Sequence, residues 1–281
     1  MGNDLNGKVV LITGASSGFG EDAALLFAKE GCRLVLAARR VDRLRALAQK
    51  IQEQGGEAVV IAADVTHRAD IEALVRQALD LHGRIDILFN NAGFGHLNWL
   101  EDLDPERDIE LQVQVNLLGV MQVARAVLPH MLAQRSGHII NMSSVAGWIA
   151  APSYTIYAAT KFGVRAFTDA LRREVMPFGI KVSAIYPGPA ETEFGLHTGD
   201  HPMNRSALRK RFKSMSSEYV ARRVLDIAKR PRRFLIIPWY YRIAVFGDWL
   251  MPWLVDWIVI RWLTRPKHEL KDSAPYKKEP S

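Results

Sequence analysis

Tyr157 and Lys161 stand four residues apart in a stretch that reads as a helix, so a phenol and an ammonium share one helical face. A phenol ionises near pH 10 and is a poor acid or base at neutral pH. An ammonium beside it favours phenolate and makes the tyrosine usable for proton transfer in both directions. Ser144 lies thirteen residues before Tyr157, at the mouth of a preceding strand, where its hydroxyl could hold a carbonyl oxygen. Taken alone, Tyr-x-x-x-Lys is as well explained by a solvated surface pair; the chemistry depends on what surrounds it.

A second chemical signal lies near the start of the chain. A short apolar run enters Thr13-Gly14-Ala15-Ser16-Ser17-Gly18-Phe19-Gly20, and a helix opens at Gly18. Glycines let backbone approach a pyrophosphate, and a helix N-terminus offers free N–H groups and positive dipole. The spacing is G-x-x-x-G-x-G, not G-x-G-x-x-G, and a tight strand-to-helix turn without ligand would look the same. The end of the second strand weighs against that reading. Where a dinucleotide site for NAD carries an acidic residue, this chain has Ala37-Ala38 followed by Arg39-Arg40. A guanidinium at Arg39 suits a 2′-phosphate by charge and by its fork of donors, which points to NADP(H).

The elements that must hold these residues alternate regularly. Residues 9–12, 34–36, 58–61, 85–89, 138–140 and 181–185 are short, β-branched and apolar, as strands buried on both faces are. Between them run amphipathic stretches at about 18–31, 41–54, 67–82, 105–134 and 155–178. Repeated β-α-β gives an α/β fold: a Rossmann-like, doubly wound parallel sheet in three layers, with its ligand crevice at the C-terminal strand ends. A further helix is expected at about 217–229, capped by Ser216 or Ser217, and a last strand at 234–238.

In order and at matching spacing, Thr13-Gly14-x-x-x-Gly18-x-Gly20, Asp64, Asn90-Asn91-Ala92-Gly93, Asn116, Ser144, Tyr157-x-x-x-Lys161 and Pro187-Gly188 with Thr192 resemble the short-chain dehydrogenase/reductase family over about residues 6–240. The resemblance implies catalytic Ser144, Tyr157, Lys161 and Asn116: Tyr157 as proton donor, Ser144 orienting the carbonyl, Lys161 on the nicotinamide ribose, and Asn116 holding a relay water. It implies a cofactor site from Gly14, Ser16, Ser17, Gly18, Phe19, Gly20, Arg39, Asp64, Val65, Asn91, Ala92, Gly93, Pro187, Gly188 and Thr192, together with Tyr157 and Lys161. It also implies a homodimer or tetramer through the helices at 105–134 and 155–178. No metal is expected, because the eight histidines show no ligand spacing.

Phe94, His96, Trp99, Trp148, Tyr154 and His197 flank these groups and are the candidate substrate-pocket residues; several could equally be core. Their apolar character suggests a hydrophobic carbonyl compound. Beyond the domain at 1–240 lies an aromatic segment at 241–265, then a polar tail at 266–281. Five of the seven tryptophans fall between Phe234 and Leu263, and Trp249, Trp253 and Trp257 recur every four residues along one expected helical face. Asp248, Pro252 and Asp256 interrupt it, which argues against a full span. A helix lying in a membrane interface, or a subunit contact covering the site, both fit. The arrangement resembles membrane-associated members of the family such as hydroxysteroid dehydrogenases and 3-ketosphinganine reductases, which implies a ketolipid, sterol-like or long-chain acyl substrate.

Net charge is +7, with basic clusters at 209–213 and 229–233 that flank apolar sequence and form no nucleic-acid motif. Cys32 is the one cysteine, which suits a reducing compartment. The first residues carry no apolar leader, and Asn6 stands where a myristoylation signal needs Ser or Thr. The expectation is therefore a cytoplasmic protein, at the cytoplasmic face of a membrane if the aromatic segment binds one. A soluble 3-oxoacyl reductase or small-molecule alcohol dehydrogenase is the alternative; a non-catalytic dinucleotide-binding scaffold is disfavoured by the complete motif set.

Overall fold

A computed structural model describes residues 2–193 and 214–263, with side chains described as far as Arg261. Seven parallel strands form one sheet in the order β3-β2-β1-β4-β5-β6-β9. They are β1 (Val9–Thr13), β2 (Arg33–Ala38), β3 (Glu57–Ala62), β4 (Ile87–Asn90), β5 (Gly137–Met142), β6 (Ile180–Pro187) and β9 (Phe234–Ile237). A small parallel pair joins β7 (Ala190–Glu191) to β8 (Met215–Ser216). Every strand read from the sequence is present.

The three layers follow from side-chain alternation on β1. Val10 and Ile12 point to one face, where α1 (Gly18–Lys29), α2 (Val41–Glu53) and α6 (Ser217–Lys229) bury Phe27, Leu44 and Val224. Val9 and Leu11 point to the other, where α3 (Arg68–His82), α4 (Pro105–Gln134) and α5 (Thr155–Val175) bury Leu74, Val127 and Leu171. Strand after strand is apolar because both faces are covered. Ser216 is the N-cap of α6, its hydroxyl accepting from the Tyr219 amide at 3.2 Å. From β1 the chain winds outward through β2 and β3, then returns to place β4 on the other flank of β1. That reversal opens a crevice at the C-terminal ends of β1 and β4.

Two features depart from the expected helices. The stretch 105–134 is helical throughout, but Pro105–Glu110 and Gln114–Gly119 are π-helical, and regular α-helix resumes at Val120. Such segments recur beside functional sites because they turn a side chain away from its regular direction. The aromatic segment is also not one helix. It forms α7 (Tyr241–Leu250) and α8 (Pro252–Leu263), bent by 114°. Pro252 cannot continue α7 because it lacks the amide and its ring clashes with the preceding turn. Trp249 therefore stands on a different helix from Trp253 and Trp257, which corrects the single aromatic face read from the sequence. All three are exposed, at 76%, 69% and 61%. α7 is fixed at its root, where Tyr241 and Val245 pack on Trp148, Tyr186, Phe234 and Ile236.

Candidate active site

The C-terminal ends of β4 and β5 bring together the four residues singled out for chemistry. Ser144 follows β5 and caps a short turn, its Oγ accepting from the Ala146 amide at 3.1 Å and donating to the Pro187 carbonyl at 3.4 Å. That turn sits tightly on α5: a Cβ on Gly147 would lie 2.7 Å from the Lys161 carbonyl. The close packing brings the Ser144 hydroxyl to the Tyr157 phenol, with which it shares a hydrogen bond. Tyr157 is buried, and Lys161 Nζ lies 5.5 Å from its ring centre. One turn along α5 from Tyr157, the Lys161 ammonium donates to the Met142 carbonyl at 3.3 Å.

Asn116 comes from the second π segment of α4. Its Nδ2 donates to the Phe94 carbonyl at 2.7 Å, and its Oδ1 accepts from the Phe94 amide at 2.9 Å. This pins the loop after β4 against α4. Gly93 is the meeting point: a Cβ there would stand 3.1 Å from Asn116 Oδ1 and 3.5 Å from Lys161 Nζ. Asn116, Gly93 and Lys161 thus converge from three elements.

The electrostatics differ from the simple sequence argument. Burial pushes the Tyr157 phenol above its ordinary range, partly opposed by the Ser144 hydrogen bond. Burial also pulls the Lys161 ammonium down from 10.5 to about 8. In the free protein desolvation is the largest cause of both shifts. Low dielectric destabilises both charged forms at once.

The glycine turn is held mainly by β4. Asn91 Nδ2 donates to the carbonyls of Thr13 at 3.2 Å and Gly14 at 3.1 Å, and the Thr13 hydroxyl accepts from the amides of Asn91 and Ala92. Gly14 has φ +66°, and a Cβ there would approach Ala92 Cα to 2.8 Å. A Cβ on Gly20 would lie 2.4 Å from the Gly14 carbonyl. These two glycines are needed for the turn's own packing. Gly18 and Phe19 open α1; Ser17, its N-cap, makes no side-chain capping bond to the first-turn amides. Those amides stay available to an anion at the crevice. Thr192, after Pro187 and Gly188, lies against Gly18, a Cβ on which would meet Thr192 Cγ2 at 3.4 Å.

Arg39 and Arg40 divide. Arg39 is exposed, with Nη1 3.6 Å from Asp64. Arg40 instead reaches the glycine turn, its Nε 3.1 Å from Ser16 Oγ and its Nη2 2.6 Å from Ser17 Oγ. Its Nη1 holds Glu193 at 2.8 Å, and Arg43 holds the other oxygen of the same carboxylate. Arg43 and Glu193 had no signal in the sequence. Asp64 accepts from the Thr66 amide and hydroxyl at 2.9 and 2.8 Å, and Val65 is buried against Gly119. The donor set suits a dinucleotide: free helix amides for a pyrophosphate, guanidiniums with hydroxyls for a further phosphate, and a buried ammonium for a ribose.

Of the pocket candidates, Phe94 and His96 stack edge to face at 5.6 Å, and His96 Nδ1 lies 3.3 Å from the buried Asp108. Arg107 forks that carboxylate at 2.7 and 2.9 Å and holds its pKa below the ordinary range. Tyr154 stacks on Tyr157 at 6.1 Å, and Trp99 is half-buried in the loop after β4. Trp148 packs between Tyr186 and Phe234, with the Arg165 guanidinium 3.3 Å over its ring. Its part is to anchor α7. His197 lies outside the described residues.

The family model for short chain dehydrogenases matches residues 8–201. The chain belongs to the short-chain dehydrogenase/reductase family. It is 41% identical to an uncharacterized oxidoreductase of Staphylococcus saprophyticus over 72% of this chain and 82% of that one. It is 33% identical to the dehydrogenase/reductase SDR family protein 7-like of Drosophila melanogaster over 97% of this chain and 85% of that one. Among solved structures, the 3-ketoacyl-(acyl-carrier-protein) reductase from Brucella melitensis complexed with NADH superposes with a TM-score of 0.75 at 32% identity, covering 83% of this chain and 97% of that one. The alcohol dehydrogenase from Thermococcus sibiricus complexed with 5-hydroxy-NADP gives 0.72 at 30% identity, covering 82% and 95%. The protein is thus an oxidoreductase of this family, whose structural neighbours bind nicotinamide dinucleotides.

Proposed function

We propose that this chain is an NADP(H)-dependent reductase of ketones or aldehydes, using Tyr157 as the acid. The observation that carries this is the convergence of Ser144, Tyr157, Lys161 and Asn116 on the crevice. When bound, the dinucleotide supplies the hydride to the carbonyl carbon. Tyr157 then donates its phenolic proton to the substrate oxygen, while Ser144 orients that oxygen and stabilises its developing charge. Lys161 holds the nicotinamide ribose and, with its ammonium next to the phenol, makes the proton easier to release once a ligand brings polar groups into the pocket. Asn116, fixed by both its bonds to Phe94, would hold a water linking Lys161 to solvent, the route by which a proton returns through Lys161 to the Tyr157 phenolate. First-turn amides of α1, with Thr192 above them, receive the pyrophosphate. Arg39 and Arg40, with Ser16 and Ser17, favour a 2′-phosphate over a bare ribose.

The substrate we favour is lipophilic: a ketolipid, sterol-like or long-chain acyl carbonyl. Tyr154 against the phenol and Phe94 on Asn116 support it, as does the exposed aromatic surface on α7 and α8. We read residues 1–240 as the catalytic domain and 241–265 as an appendage resting on a membrane face. The likeness to the Drosophila protein over nearly the whole chain favours treating that appendage as part of the enzyme. Subunits would pair through α4 and α5, where Leu118 and Phe162 are exposed large apolar side chains.

The test is Tyr157→Phe assayed against steroids, 3-ketosphinganine, 3-oxoacyl esters and small aldehydes by NADPH absorbance. Wild type should turn over the long-chain or polycyclic ketones best. The variant should lose at least about 10²-fold in kcat while still binding cofactor. Turnover that survives the substitution would remove Tyr157 from the mechanism.

A further inference from the structure

The carboxylate of Glu193 occupies a built anion site. One oxygen takes Arg40 Nη1 at 2.8 Å and the other takes Arg43, and the same Arg40 guanidinium is fixed by Ser16 and Ser17 on the glycine turn. Two guanidiniums bridged by two oxygens is the geometry in which arginines hold phosphate. The pairing spans 153 residues of sequence and crosses from the stretch after β7 to the end of β2. Both guanidiniums together hold the carboxyl down to about 2, so it is charged at any working pH. Next to it, Thr192 lies on Gly18, which places the contact beside the glycine turn proposed above for the cofactor's phosphates.

We propose that Glu193 is an internal competitor for the 2′-phosphate of the cofactor, a specificity-determining residue that sets how tightly the protein holds NADP(H). This rests on the NADP(H) reading above. A 2′-phosphorylated ligand and the Glu193 carboxylate need the same Arg40 edge, and two anions cannot share it without mutual repulsion. A ligand lacking the phosphate leaves the Arg40–Glu193–Arg43 bridge intact. Glu193 therefore weakens binding of the phosphorylated form selectively, and screening by salt reduces the effect because the pairs are partly exposed.

The experiment is calorimetric titration of the full chain with adenosine 2′,5′-bisphosphate and with adenosine 5′-monophosphate, in wild type, Glu193→Gln and Glu191→Gln. Glu191 is an exposed carboxylate two residues earlier, so its substitution changes net charge equally without touching the bridge. The competing ion pairs are partly exposed and weak, so Glu193→Gln should tighten the bisphosphate about threefold to tenfold. The monophosphate should be unaffected, and Glu191→Gln should change neither. A bisphosphate preference that is present in wild type but unchanged by Glu193→Gln overturns the competition and leaves the NADP(H) reading standing. Equal tightening by both substitutions reduces the effect to bulk charge and also overturns it. If no variant prefers the bisphosphate, the cofactor reading falls and this inference falls with it.

Discussion

Replacing Lys161 with methionine should make the protein inactive and more stable. The ammonium is buried at 4% exposure, and burial lowers its pKa from 10.5 to about 8. At 1.36 kcal/mol for each pH unit, keeping that charge in the fold at pH 7 costs about 3 kcal/mol. Methionine has similar length and no charge, but forfeits the bond to the Met142 carbonyl, worth about 1 kcal/mol. The net gain is about 2 kcal/mol, or a rise in Tm of about 4–8 °C for a chain of this size. The sign with pH is fixed by which state holds more protons. Below about 8 the lysine is charged in both folded and unfolded chains, so the penalty is constant and complete. Between about 8 and 10.5 the unfolded chain binds more protons than the folded one, so wild-type stability climbs relative to the variant. Urea melts of both proteins without dinucleotide, at pH 7, 8, 9 and 10, read this directly; cofactor is left out because it would stabilise wild type by mass action. The advantage should be largest at pH 7 and vanish between about pH 9 and 10. A variant less stable than wild type at pH 7, or a difference independent of pH, would refute the reasoning.

Glycine substitutions separate turn geometry from helix propensity. Gly20→Ala forces a Cβ to within 2.4 Å of the Gly14 carbonyl, so it should cost about 1–3 kcal/mol and weaken dinucleotide binding together with Tm. Gly247→Ala, in α7 with nothing within 4 Å, should gain up to about 1 kcal/mol by calorimetry; a loss there would contradict the open surroundings. Replacing Trp249, Trp253 and Trp257 together by serine should abolish flotation with anionic phospholipid vesicles and leave turnover of a short, water-soluble ketone within about twofold, because exposed substitutions leave stability largely unchanged. Equal vesicle binding by the variant would dispose of the membrane face. Point changes are preferred to truncation, because a Cβ on Gly188 would lie 2.5 Å from the Tyr241 ring and removing α7 would expose the turn after β6.

Much of this was readable before any coordinates. Strands buried on both faces betray themselves as short β-branched runs, and Ser144, Tyr157 and Lys161 belong to neighbouring elements whose order fixes their meeting. The rest depended on information that local patterns do not carry. The π segments leave the apolar periodicity of 105–134 nearly intact, so nothing announced that Asn116 leaves the regular helical direction. Pro252 marks a break, but apolar periodicity carries no information on the 114° angle beyond it. Arg39 and Arg40 are adjacent, and the sequence does not say which one meets the glycine turn; in the fold it is Arg40. Glu193 meets Arg40 across 153 residues, a pairing only the folded chain can state. The family resemblance implies a cofactor contact for Asn91, and its side-chain amide also ties the glycine turn to the loop after β4.

The π segment at Gln114–Gly119 has a bearing on how this chain tolerates insertions and deletions. A π turn holds one residue more than the α turn it replaces. Deleting a single residue there would let α4 close into regular helix and preserve its backbone bonding. The flanking residues would keep their faces, because the deletion removes only the extra residue that the π turn absorbs, while those inside the turn, Asn116 among them, would be redirected. Such a variant could keep its core and its fold while carrying Asn116 away from Phe94 and Lys161. Helix α4 thus places a reading frame inside a structural element, in which the loss of one residue erases a function while leaving the scaffold intact.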